Sequence, residues 1–129
     1  MHMREDPLVY ACASQADATN QAMAHGQRLG AQLVPTSGTP SMLPVIGRAA
    51  VLLVKKDFAT AAVGKILVYE GSTSPAGPLM LLCHRAQRRD RRGFIMRGDA
   101  NAAAETWQRV DLASYRGTVV AIFNYPPGD

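Results

Sequence analysis

From Pro35 onward the apolar residues come in short runs separated by turn formers. The runs are Ala49 to Lys55, Lys65 to Glu70, Leu79 to Gln87, Phe94 to Arg97 and Thr118 to Phe123. Short runs with β-branched residues, bounded by Gly, Pro and Ser, predict β-strands. The separators are Gly47, Gly64, the tract from Gly71 to Pro78, Gly93, Gly98 and Gly117, which predict turns and no interdomain linker. Upstream the pattern differs. Ser14 to Leu33 is rich in Ala and Gln, with Ala18, Ala22, Leu29 and Leu33 among its apolar positions, and predicts a weakly amphipathic helix despite Gly26 and Gly30. The expected fold is mainly β, a compact, coiled, barrel-like sheet over residues 34–129, preceded by an N-terminal helix or arm over residues 1–33.

Composition supports a folded chain, with 47% apolar and 19% charged residues among 129. The net charge of +4 gathers in Arg85, Arg88, Arg89, Arg91, Arg92 and Arg97. Arg88 to Gly93 lies between two apolar runs and is interrupted by Asp90, as a solvated hairpin tip is; the N-terminal segment is too short for a helix-turn-helix reader, so no nucleic-acid partner is expected. Cys12 and Cys83 read as thiols, since two cysteines cannot build a disulfide framework. His2, His25 and His84 are scattered and no Cys-x-x-Cys pair occurs, so neither metal nor cofactor is expected. The apolar runs Ala49 to Val54 and Leu79 to Cys83 fall far short of the roughly 20 residues of a spanning helix. Met-His-Met-Arg-Glu-Asp-Pro lacks the apolar core of a secretory signal, which makes the expected address cytoplasmic and leaves peripheral membrane association open.

Three stretches carry candidate chemistry. Ser37-Gly38-Thr39-Pro40-Ser41-Met42-Leu43-Pro44 places a serine in a turn; on its own, a serine flanked by two prolines is more often just a turn. Leu81-Leu82-Cys83-His84-Arg85 brings a polar pair out of an apolar run, and Phe94-Ile95-Met96-Arg97-Gly98-Asp99-Ala100-Asn101 ends a strand in a Gly-Asp turn. In this order the three resemble the nucleophile, base and Gly-Asp-x-Asn boxes of the signal peptidase I superfamily. Val63-Gly64-Lys65-Ile66-Leu67-Val68-Tyr69 and Tyr115-Arg116-Gly117-Thr118-Val119-Val120 resemble two further strands of that family, so the likeness covers Val34 to Phe123. It departs at Lys65, where the family carries Asp. Neither a membrane anchor nor the large inserted domain of some bacterial members is found in this sequence, so cleavage of secretory precursors does not follow from the likeness.

The resemblance implies a serine endopeptidase. Ser41 takes the nucleophile's position, and His84 takes the base slot before Arg85, which is Lys in bacterial members and His in the archaeal and endoplasmic-reticulum type. A serine hydroxyl needs such a base to become a nucleophile, and neutral imidazole can accept its proton. A carboxylate that orients the imidazole is expected at Asp99, with Glu105 as the alternative. The implied oxyanion donors are the Ser41 N–H and the Thr39 hydroxyl. The implied partner is a peptide or protein bound as an extended strand, with small side chains immediately before the scissile bond and two residues further back. Met42, Ile46 and Cys83 match the pocket positions; ordinary core packing is the competing role for each. Cys83 is disfavoured as a nucleophile because neighbouring strand residues point to opposite faces. Two other functions stay open: a self-processing regulatory protease, whose relatives use Lys as base, and an inactive peptide-binding module of the same fold. Lys55, Lys56 and Lys65 all precede the His84 strand, which disfavours the first.

Overall fold

The computed structural model describes residues 6–37 and 40–128. In chain order the elements are β1 (Leu8–Ala11), α1 (Gln15–Leu29), β2 (Gln32–Ser37), β3 (Ala49–Lys55), a 3-10 turn (Phe58–Thr60), β4 (Ile66–Gly71), β5 (Met80–Asp90), β6 (Gly93–Arg97) and β7 (Tyr115–Asn124). The fold is mainly β. One seven-stranded sheet runs β2-β3-β7-β4-β5-β6, with β1 added against β7, and it stays open between β2 and β6. All pairs are antiparallel except β1 with β7. Among the described residues no helix is long and apolar enough to cross a membrane.

All five strands expected downstream of Pro35 are present, with ends shifted by a few residues. The helix is shorter than its composition suggests. Ser14 caps its start by accepting the Asp17 N–H at 3.1 Å, and Gly30 ends it in the left-handed region at φ 63°, where a side chain is disfavoured. The chain then extends into β2, so the expected boundary at residues 33 and 34 falls inside a strand. β2 carries Pro35, which an outermost strand tolerates because it need not donate along its free edge. β1 has only four residues and is mostly exposed, and its strand form comes from its partner.

β7 holds the sheet together. Along one edge it pairs with β3 from Thr118 to Asn124. Its other edge is shared, with β4 beside Tyr115 to Thr118 and β1 beside Ala121 to Asn124. Because both faces of β3 are covered, its first six residues are all buried. Ala50, Leu52 and Val54 meet Ile66, Val68 and Ile122 on one face, while Val51 and Leu53 meet Ala18 and Ala22 of α1 on the other. A third cluster, with Leu67, Tyr69, Leu82, Phe94 and Tyr115, fills the β4-β5-β6 end.

Gly117 sits where β3, β7 and β4 converge, and a Cβ there would fall on Val54 Cγ1. Valine has little rotamer freedom with which to yield. Gly117→Ala is expected to destabilise the fold by about 1–3 kcal/mol through overpacking. Urea denaturation should show a lower midpoint with an unchanged slope.

Candidate active site

Ser41 opens a tight turn after Pro40, closed by Leu43 N–H to Pro40 O at 3.1 Å and Ile46 N–H to Met42 O at 3.0 Å. His84 is carried on β5, opposite Leu67 of β4. Glu105 comes from the connection between β6 and β7. That connection turns at Gly98 to Asn101 and then runs back along β6, with Glu105 N–H on Met96 O at 2.8 Å and a Phe94–Val110 bridge closing the return. The three segments, far apart in sequence, meet at one point.

There, His84 Nε2 lies 3.1 Å from Ser41 Oγ. On the far side of the ring, Nδ1 lies 2.6 Å from Glu105 Oε2. The Tyr69 hydroxyl donates to Glu105 Oε1 at 2.6 Å and lies 2.7 Å from His84 Nδ1, and Gln108 Nε2 donates to the same Oε1 at 2.9 Å. His84, Glu105 and Tyr69 are all buried, whereas Ser41 is partly accessible. Burial alone would raise the Glu105 carboxyl; hydrogen bonds from His84 and Tyr69, the charge interaction with His84 and the Gln108 bond outweigh it and hold the group below the usual carboxylate range. Tyr69 moves the opposite way, raised by burial and by its bond to the Glu105 charge, so it keeps its proton.

Asp99 does not take the place expected of it against the imidazole. Its carboxylate forms a bidentate pair with Arg85, at 2.8 Å to Nε and 2.7 Å to Nη2, while Arg85 Nη1 donates to Gly64 O. Strand alternation is the reason, because Arg85 and His84 project to opposite sides of β5 and Asp99 lies on the Arg85 side. The Gly-Asp turn still serves the site. Ala100 N–H donates to Ser41 O at 2.9 Å and Asp99 N–H to Met42 Sδ at 3.3 Å, which clasps the serine turn from behind. Gly98 is required here, since a Cβ would sit 2.7 Å from Ser41 O.

A groove of about 430 Å³ opens in front of Ser41 and His84. Val34 and Thr36 of β2 form one side, Leu52, Val68 and Cys83 lie deeper, and Met80, Leu81 and Trp107 form the outer rim. Of the three expected pocket residues, Cys83 is on this lining. Met42 and Ile46 are not; the turn directs both inward, where they are 3% and 5% exposed and pack with Leu52, Val54 and Val68. Thr39 lies outside the described residues. Cys12 and Cys83 are free thiols, and burial, reinforced by the charge of Asp99, pushes Cys83 up to about 12.

Comparison with protein-family models, curated proteins and solved structures found no match to this chain. Among the described residues no group of three or more His, Cys, Asp or Glu side chains could hold a metal ion. The arrangement instead has the parts for proton transfer: a hydroxyl, an imidazole and a buried carboxylate in line, facing an apolar groove. Tyr69, Gln108 and Trp107 are the components that sequence reasoning missed. Nothing in the local pattern marks Tyr69 as more than a core aromatic, whereas Glu105 was visible as an acidic residue shortly after the Gly-Asp box.

Because the folded pKa of Glu105 is depressed, its ionisation adds stability that is fully present above the unfolded value of roughly 4.3 and is lost as pH falls through the folded value. Glu105→Gln removes this contribution. Denaturant titrations from neutral pH downward should therefore give a stability gap between wild type and variant of about 1–3 kcal/mol near neutrality, closing under acid. A gap independent of pH would show that folding does not shift the Glu105 carboxyl, and a gap that grows under acid would show that it is shifted upward.

Proposed function

We propose that this chain is a serine endopeptidase acting on extended peptide segments. The observation that carries the reading is the relay Ser41 Oγ, His84 Nε2, His84 Nδ1, Glu105 Oε2, with separations of 3.1 Å and 2.6 Å at its two junctions, placed on the wall of an apolar groove. Such a relay raises the nucleophilicity of a hydroxyl without metal or cofactor. The resemblance of the three sequence boxes to the signal peptidase I superfamily supports the same reading.

In the proposed reaction His84 Nε2 removes the Ser41 proton as Oγ adds to the scissile carbonyl. The same nitrogen then protonates the departing amine, leaving an acyl-Ser41 ester. A water deprotonated by His84 attacks the ester, and its collapse releases the acid and returns the proton to Ser41. Glu105 stabilises the imidazolium formed at each stage. The Ser41 N–H and the Thr39 hydroxyl are the proposed donors to the oxyanion.

Two strand edges that have no partner strand among the described residues favour a peptide as substrate. β6 pairs with β5 only from Arg85 onward, which leaves the β5 backbone before it open along that edge, and β2 is the outermost strand on the other side of the groove. A substrate strand between them would gain main-chain hydrogen bonds from its neighbours, with the apolar groove selecting its side chains. A preference for small residues before the scissile bond follows from the family resemblance and belongs to this proposal.

The test is kcat/KM on a peptide selected from a library by mass-spectrometric mapping of cleavage sites. Ser41→Ala and His84→Ala are expected to abolish turnover with the fold retained. Glu105→Gln should lower kcat by about 10²–10⁴-fold, and more than Asp99→Asn, because of these two carboxylates Glu105 is the one that pairs with the imidazole while Asp99 pairs with Arg85. Wild-type turnover by Ser41→Ala or His84→Ala would overturn the assignment.

A further inference from the structure

Tyr69 is a buried phenol that the proton relay above does not use. It stands on β4, is 1% exposed, and its oxygen lies 2.6 Å from Glu105 Oε1 and 2.7 Å from His84 Nδ1. With the 2.6 Å separation of His84 Nδ1 from Glu105 Oε2, the three groups form a closed ring. We propose that Tyr69 is a positioning residue, whose hydroxyl locks Glu105 and holds the neutral imidazole in the tautomer that leaves Nε2 bare toward Ser41; its catalytic meaning rests on the peptidase reading above.

The proton assignment follows from which contacts would be repulsive. A bare Nδ1 would aim its lone pair at a carboxylate oxygen 2.6 Å away, so Nδ1 carries the proton. A protonated Nδ1 cannot accept from the phenol. The phenol proton therefore goes to Glu105 Oε1, and a phenol lone pair is left facing Nδ1–H. Gln108 Nε2 donates to the same Oε1 at 2.9 Å, so that oxygen is held by two donors while Oε2 is left to the imidazole. With its single proton on Nδ1, neutral His84 has only a lone pair at Nε2, 3.1 Å from Ser41 Oγ. Removing the phenol oxygen frees the carboxylate to rotate about its terminal torsion and removes the acceptor that shares Nδ1–H. It takes away neither nucleophile nor base.

The experiment uses the full chain labelled with ¹⁵N-histidine, with His84→Ala to assign the His84 signals, and a fluorophosphonate probe whose labelling of Ser41 is followed by mass spectrometry. At a pH where the imidazole is neutral, wild-type His84 is expected to show a protonated Nδ1 and a bare Nε2. Tyr69→Phe, which keeps the ring and so the packing, should give a mixture of tautomers and slow Ser41 acylation by about 10–100-fold. In a Glu105→Gln background the same change should slow acylation less than about 3-fold further, since Tyr69 acts through Glu105. Retention of the wild-type tautomer and acylation rate by Tyr69→Phe would overturn the proposal, as would an equal loss in both backgrounds. Should Tyr69→Phe fail to fold, the wild-type spectrum still decides, because an Nε2-protonated neutral His84 contradicts the assigned ring. Absence of Ser41 labelling in wild type would count against the peptidase reading alone, because the tautomer measurement needs no activity.

Discussion

A carboxylate taken out of water must be compensated where it lies, and in this protein the requirement falls on Glu105. Its residue is 5% exposed, and desolvation of an ionised carboxylate is among the largest penalties a folded chain meets. Donors from His84, Tyr69 and Gln108 offset it. Each comes from a different part of the chain, so the site can exist only when β4, β5 and the β6-β7 connection are all in register. Among the described residues no buried side-chain polar atom lacks a partner, which is the condition under which such a network rigidifies a core and does not weaken it.

The same carboxylate links the site to the groove wall. Gln108 donates to Glu105 with one hydrogen of its amide and to Ser72 O with the other, while its oxygen accepts the Ser72 N–H at 2.8 Å. Trp107 Nε1 also reaches Ser72 O, at 3.2 Å. The loop that follows β4 and borders the groove is thus tied to the group that orients His84. At Gly71, just before it, a Cβ would sit 2.7 Å from the Gln108 amide oxygen and would push that side chain off its bonds to Ser72 and Glu105. On the opposite side, the Gly-Asp turn fixes the Ser41 turn by backbone and sulfur contacts, and Arg85 anchors that turn through Asp99. Two acidic residues close in sequence thereby divide the labour, one toward the imidazole and one toward the scaffold that carries it.

The long β7 strand makes these placements possible. By pairing with β3, β4 and β1 it joins the part of the sheet that supports the serine turn to the part that carries His84. Helix α1 closes the back of β3 and β7 through Ala18 and Ala22, with Gly26 allowing close approach to Leu53. Among the described residues the groove then lies between two strand edges without a partner strand, a consequence of β6 being much shorter than β5 and of β2 being terminal.

The amino-acid sequence by itself determined the mainly β architecture, because short apolar runs between glycines carry their own period, and it marked Ser41 and His84, whose boxes are contiguous in the chain. It did not determine β1 or β2. β1 has only four residues and β2 is mixed in polarity and carries Pro35, and the extended form of both is set by pairing with β7 and β3, information held in other segments. Nor could it choose between Asp99 and Glu105, since both follow β6 within one connection. The choice came from the alternation of β5, which sends Arg85 toward Asp99 and His84 toward Glu105, and from the return of the chain along β6. The role of Tyr69 likewise depends on cross-strand proximity between β4 and β5, a property of register that no local pattern of residues encodes.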